Sequence, residues 1–143
     1  MTECKFYVCQ QTSAENFPAA AASIIAGIYR GHYRKLGRIL VMADNPPRFS
    51  REIWKTPGFV PNTTADDPNA AVAPVAVSDG YVQGYDVIVN TRLALPLLPE
   101  EVFSCSLLAD FSLKGASDLL PACRSRYKQI RSSGATIENI AID

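Results

Sequence analysis

Two short runs of consecutive apolar residues constrain the fold of this chain more than any other feature of its sequence. Arg38–Ala43 reads RILVMA and Asp86–Asn90 reads DVIVN. Such runs lack the polar alternation of a strand that has one face in water, and they are typical of strands covered on both faces. A strand of that kind needs helices on both sides of its sheet, so the pattern predicts a parallel sheet inside an α/β domain.

Helix and strand signals alternate around these two runs. Lys5–Gln10 is aromatic and β-branched, which predicts a first strand. Ala14–Leu36 carries apolar residues at helical spacing and is followed by Gly37, so it predicts a long helix that ends there. The other predicted elements are a short helix at Pro47–Trp54, strands at Pro74–Ser78 and Phe103–Phe111, a helical turn within Leu93–Val102, and a last helix that begins at Lys114 or Ser117 and ends near Ser133.

Two segments carry no clear periodicity. Thr56–Ala73 is rich in proline and polar turn residues, which predicts a loop too short to separate two cores. The tail Ala135–Asp143 has three isoleucines that either pair at a sheet edge or pack on the last helix. We therefore expect one domain over residues 1–143, with three α/β/α layers around a mainly parallel, Rossmann-like sheet of about five strands.

Charge and cysteine content exclude several classes of protein. The 14 basic and 14 acidic residues cancel, which excludes a general polycation acting on nucleic acid. Cys4, Cys9, Cys105 and Cys123 match no zinc-binding spacing, and free buried thiols are favoured over disulfides. We expect a cytoplasmic protein, because no signal-peptide pattern and no apolar run of membrane-spanning length is present.

Residues for catalysis or nucleotide binding are absent from the expected positions. The turn after the first strand, residues 10–13, contains no glycine that would let the backbone approach a phosphate, and no P-loop motif occurs. The single histidine, His32, lies late in the long helix among basic residues and reads as a solvated side chain. We therefore expect no catalytic residues, no metal and no cofactor.

A basic segment in the last helix is the strongest candidate for a binding site. Pro121–Arg131 holds four cations and no acid. Arg124, Lys128 and Arg131 share one helical face by their i, i+4, i+7 spacing, and Tyr127 borders them on an apolar stripe. Such a border fits a ligand that is apolar at one point and anionic around it. The alternative is a solvated basic face near a helix C-terminus, where cations are favourable.

Aromatic residues in the middle of the chain form a second candidate. Trp54 is predicted to point inward from its short helix together with Phe49 and Ile53. Phe59 and Val60 lie in the predicted loop, where apolar side chains must cover a surface. That surface belongs either to the chain's own helix or to a partner.

Five motifs occur along the chain in a characteristic order. They are Lys5–Val8, Gly37–Val41, Glu52–Trp54 with Gly58–Pro61, Asp86–Asn90, and Arg124–Lys128. Their order and spacing resemble one known family, the chi subunit of bacterial DNA polymerase III. The resemblance extends over about 130 residues, and Asn62 stands where that family usually has a histidine.

The resemblance implies a replication adaptor without catalytic activity. Chi subunits join the clamp loader through the psi subunit and hold the acidic C-terminal tail of single-stranded-DNA-binding protein, a run of aspartates ending in Ile-Pro-Phe. The resemblance therefore implies indirect contact with DNA, no membrane, and a place in the bacterial cytoplasm at the replisome. The positions it assigns to tail binding are Arg124, Tyr127 and Lys128, with Phe59 lining an apolar hollow and with Trp54 and Leu113 as further candidates.

Two other functions compete with this interpretation. A small α/β enzyme or nucleotide-binding protein could use Arg124, Arg126 and Lys128 as an anion clamp, although it would lack a catalytic base. Direct binding of single-stranded nucleic acid through the basic face would need several exposed aromatic residues beside the cations. For the psi subunit, the segment Leu93–Leu98 and the isoleucines of the tail are candidate interface material or core.

Overall fold

The computed structural model describes residues 2–143, in which seven strands form one all-parallel sheet. In chain order the strands are β1 (Glu3–Cys9), β2 (Ile39–Met42), β3 (Asn62–Thr64), β4 (Val75–Ser78), β5 (Val87–Asn90), β6 (Leu107–Leu113) and β7 (Thr136–Ile142). The helices are α1 (Phe17–Leu36), α2 (Pro46–Lys55) and α3 (Leu120–Ser132), with 3₁₀ helices at Pro68–Ala71 and Glu100–Ser104. Across the sheet the strand order is β3-β4-β2-β5-β6-β1-β7.

Helices cover both faces of this sheet, as the apolar runs predict. Ile39 and Val41 of β2 pack into the core under α1 and α2, and we call this side the α1–α2 face. Leu40 and Met42 of the same strand pack into the core on the side of α3, the α3 face. All four side chains are fully buried. The three-layer α/β/α prediction is confirmed.

The predicted count of about five strands is too low, because the two edge strands have only weak strand signals in the sequence. β3 lies inside Thr56–Ala73, which was predicted to be a loop throughout. It reads Asn-Thr-Thr and has no apolar signal, so its pairing with β4 determines its conformation. β7 forms from the tail, which pairs with β1 and does not pack as a separate layer on the last helix.

Several observed element boundaries differ from the predicted ones, because local contacts determine them more than the periodicity of the sequence does. α1 begins at Phe17 and not at Ala14, since the Ser13 hydroxyl accepts the Asn16 N–H at 3.2 Å and holds a turn ahead of the helix. β6 begins at Leu107 and not at Phe103, which belongs to the preceding 3₁₀ helix. α3 begins at Leu120, later than either predicted start.

The end of α1 requires glycine. Gly37 has a φ of +112°, in the left-handed region that side chains rarely adopt. A Cβ at this position would also overlap the carboxylate of Asp86, which precedes β5. The helix therefore ends here and the chain enters β2 directly.

The four cysteines are free and buried, as predicted. Cys4 and Cys9 lie five residues apart on β1 and pack on opposite faces of the sheet. Burial raises the pKa of Cys4 to about 12 and the pKa of Cys9 to about 11. No helix within residues 2–143 is long and apolar enough to span a membrane.

Candidate functional site

The outer side of α3 carries three exposed cations. We call Arg124, Lys128 and Arg131 the cation row, and all three side chains are exposed. Within residues 2–143 none of them lies within salt-bridge distance of a carboxylate. Their positive charge is therefore uncompensated by close pairs and available to an anionic partner.

Tyr127 forms a rigid border to the cation row. Its half-buried ring meets the ring of Phe6 on β1 edge to face, with centroids 4.9 Å apart. Its hydroxyl accepts a hydrogen bond from the Asn139 side-chain amide on β7 at 3.2 Å. Tyr127 thus joins α3 to the two outermost strands on that side and offers a fixed apolar surface beside the cations.

Arg126 does not belong to the exposed group, and its predicted role in an anion clamp is wrong. Its side chain is fully buried on the sheet side of α3. Its Nε donates to Asp110 Oδ2 at 2.8 Å. Its two terminal nitrogens donate to the carbonyls of Leu93, Leu95 and Phe111 at 2.6–3.1 Å. Each of the three guanidinium nitrogens therefore donates to an acceptor of the chain itself.

Asp110, the partner of Arg126, is also fully buried and fully hydrogen-bonded. Its Oδ1 accepts the Asn90 side-chain amide at 3.0 Å and the Phe111 N–H at 2.8 Å. Burial raises the pKa of Asp110, and the Arg126 guanidinium and these hydrogen bonds oppose the rise. This pair holds α3 against the centre of the sheet, and neither group faces solvent.

The opposite side of the molecule exposes two aromatic side chains. Trp54 is 47% exposed and Phe59 is 69% exposed, and their ring centroids lie 5.4 Å apart. We call these two residues the aromatic pair. The prediction that Trp54 points inward is wrong: α2 buries Phe49 and Ile53 and turns Trp54 outward.

Backbone geometry presents Phe59 to solvent. Gly58 has a φ of +105° and Phe59 a φ of +46°, which is uncommon for a residue with a side chain. A Cβ on Gly58 would come 2.5 Å from Arg30 Nη1, so this turn lies against α1. The aromatic pair therefore belongs to the α1–α2 face.

The six residues assigned to tail binding do not form one site. Arg124, Tyr127 and Lys128 lie on the α3 face, whereas the aromatic pair lies on the far side of the sheet. Leu113 is 2% exposed within the core of the α1–α2 face and has no surface to offer a ligand. A hollow formed jointly by Tyr127 and Phe59 does not exist in this fold.

Comparison with known families agrees with this arrangement of motifs. The family described as DNA polymerase III chi subunit, HolC, matches residues 1–138. The chain belongs to the DNA polymerase III chi subunit family. It is therefore an accessory subunit of DNA polymerase III. A search of curated proteins found no match.

A cavity beside the ends of two central strands is not suited to a nucleotide. About 510 Å³ in volume, it opens at the carboxyl ends of β2 and β5, where α/β sheets commonly bind ligands. Its charged lining consists of Arg48 against Glu15, Asp44 and Glu52. With three carboxylates and one guanidinium, this lining carries excess negative charge and repels a phosphate. The cation row is not part of this lining.

Proposed function

We propose that this chi subunit is a non-catalytic adaptor that connects two partners through opposite faces of its sheet. The acidic C-terminal tail of single-stranded-DNA-binding protein binds the α3 face, and the psi subunit of the clamp loader binds the α1–α2 face. The observation that carries the proposal is the cation row, which lies beside Tyr127 without a carboxylate partner within residues 2–143.

The chemistry of the α3 face matches that of the tail. Aspartates of the tail meet the cation row, and one charge-assisted contact of this kind contributes about 1.5–3 kcal/mol. The terminal phenylalanine packs against Tyr127, whose position is already fixed by Phe6 and Asn139. A preformed aromatic wall needs little ordering on binding, which favours affinity.

The aromatic pair is the best surface for the psi subunit. Exposed aromatic side chains in contact with each other are typical of protein interfaces. The earlier candidate, Leu93–Leu98, offers less surface, since Leu93 and Leu98 are 9% and 3% exposed and only Leu97 is prominent at 59%. Because the two proposed surfaces lie on opposite faces, both partners can bind at once, as an adaptor requires.

Titration with a fluorescent peptide that carries the acidic tail tests the tail site. We expect saturable binding that a peptide without the final phenylalanine does not reproduce. Lys128→Ala should weaken binding about tenfold or more, since a charge-assisted contact is lost. Lys35→Ala is the matched control, because Lys35 is an exposed lysine on α1. Equal affinities for the two variants would contradict the proposal.

A further inference from the structure

β7 is a long edge strand with one open side. It pairs with β1 along all seven residues and with no other strand in residues 2–143. The opposite edge of the sheet, β3, has only three residues and contacts the 3₁₀ helix that follows it. An edge of the length of β7 can accept an additional strand, whereas the short edge cannot accept one of useful length.

Alternate residues of β7 direct their backbone hydrogen-bonding groups outward. The Thr136 N–H donates to the Thr2 carbonyl at 3.2 Å, and the Ile142 carbonyl accepts the Gln10 N–H at 3.3 Å. Orientation alternates along a strand, so the even-numbered residues of β7 face β1. The N–H and C=O groups of Ile137, Asn139 and Ala141 therefore face the open side.

Helical geometry places the cation row on the β7 side of α3. Arg126 faces β6, where it bonds to Asp110, and Tyr127 faces β1 and β7. With about 100° of rotation per residue, the cation row lies beyond Tyr127 on the side away from Arg126. That side is the side of β7, so the row projects from α3 on the side of the open edge.

We propose that an extended acidic peptide binds this chain as an eighth strand along β7, with its acidic side chains beneath the cation row. The inference rests on the proposed function and gives the tail-binding site its geometry. Main-chain hydrogen bonds to Ile137, Asn139 and Ala141 supply affinity, and the cation row supplies selection for acids. On the α3 face the edge itself presents Ile137, Asn139 and Ala141, none of which repels an acidic strand.

The spacing of the cation row fits such a strand. Arg124 and Arg131 are separated by about 10 Å along the helix axis, at about 1.5 Å per residue. Neighbouring side chains on one face of a strand are about 6.6 Å apart. The row therefore covers two acidic side chains at alternate positions of the peptide, so acids at i and i+2 are the recognised pattern.

Charge excludes a second copy of this chain as the occupant. Two β7 strands pairing edge to edge about a two-fold axis would place both copies of α3 on the same side of the joined sheet. Their cation rows would then face each other across the new pair of strands, and six like charges would repel. An acidic strand meets attraction at the same place.

N-methylation of single peptide amides tests strand addition on the unmodified protein. The probe is the fluorescent acidic tail peptide, methylated at one aspartate at a time. We expect a two-residue period: methylation of amides that face β7 weakens binding at least tenfold, and methylation of the intervening amides changes it less than about threefold. A flat profile with normal binding of the parent peptide overturns strand addition and leaves the proposed function standing. Failure of the parent peptide to bind overturns both.

A pair of protein variants gives an independent readout. Ala141→Pro removes an outward N–H and obstructs the edge while the bonds to β1 remain. Ala141→Ser keeps the N–H and is the matched control. We expect at least a tenfold loss of peptide affinity for the proline variant and none for the serine variant, with unchanged melting temperatures. Equal affinities overturn the proposal, as does a dimer of the wild-type chain that Ala141→Pro abolishes. If the proline variant does not fold, the methylation profile decides.

Discussion

The two faces of the sheet are built from the same strands and yet stabilise their helices by different means. On the α1–α2 face, two helices pack through apolar side chains such as Phe49 and Ile53. On the α3 face, a single helix is held through a buried ion pair, Asp110–Arg126, in addition to its apolar stripe. The difference extends to the surface, where one face exposes an aromatic pair and the other a cation row.

This difference shows how the proposed adaptor would bind two partners without interference. The proposed binding at the cation row would depend on charge and would weaken with salt. The proposed binding at the aromatic pair would depend on apolar burial, which salt affects far less. The sheet between them separates the two surfaces, so a change on one side should leave the other partner's affinity unchanged.

The largest expected effect comes from the buried ion pair. Arg126→Ala leaves the Asp110 carboxylate buried without its cation, and we expect the free energy of unfolding to fall by about 3–5 kcal/mol. Arg124→Ala, two residues away on the exposed side, should change it by less than about 0.5 kcal/mol. Urea unfolding of both variants measures the difference. Similar losses would mean that the two sides of α3 are not distinct.

Apolar packing on the α1–α2 face gives the next effect. Ile53→Ala removes a fully buried side chain and should cost about 2–5 kcal/mol of unfolding free energy. The neighbouring Trp54→Ala removes a half-exposed side chain and should cost clearly less, despite the larger volume deleted. Thermal unfolding compares the two. A greater loss for Trp54→Ala would contradict the outward position of Trp54.

Salt separates the two proposed interfaces. We expect tail affinity to fall about tenfold between 50 and 300 mM salt, since the cation row is exposed, and affinity for the psi subunit to change little. Trp54 is the only tryptophan, so its fluorescence should respond to psi and not to the tail. Phe59→Ala should weaken psi binding alone. Loss of both partners in this variant would contradict separate surfaces.

The sequence was sufficient for the layers of the fold because buried strands leave an unmistakable apolar run, as in β2 and β5. It was insufficient for β3, whose Asn-Thr-Thr sequence has no intrinsic signal and depends on β4. The cation row was predictable from helical spacing alone. The burial of Arg126 was not, because its partner Asp110 lies on another strand, although its position opposite the row on the helix was a usable sign.

The sequence could not predict that the aromatic pair and α3 lie on opposite sides of the sheet. Resemblance to a family places residues along the chain and carries no information about the side of the sheet. Trp54 was misplaced because a tryptophan in a short amphipathic helix is most often buried. Here Phe49 and Ile53 already fill the space between α2 and the sheet.

Alkaline pH should have the smallest effect on stability. We expect this effect to be similar for the buried thiol on each face of the sheet. Cys4 and Cys9 lie on opposite faces, and burial raises the pKa of each thiol from 9.0 to about 12 and about 11. The unfolded chain therefore releases these protons first, and stability is lost as pH rises above about 9. Between pH 9 and pH 10 each thiol should account for about 1 kcal/mol of the loss. Unfolding of Cys4→Ala and Cys9→Ala at both pH values measures how much each thiol contributes to the loss of stability. A pH-independent stability in the wild type would contradict the burial of the thiols.

The central claim is that the acidic tail binds the α3 face and leaves the opposite face free. Titration of ¹⁵N-labelled protein with the tail peptide, followed by amide chemical shifts, tests it most directly. We expect the shifts to concentrate on the residues of α3 and β7, with Trp54 and Phe59 unmoved. Shifts centred on the aromatic pair, with α3 unchanged, would contradict the account.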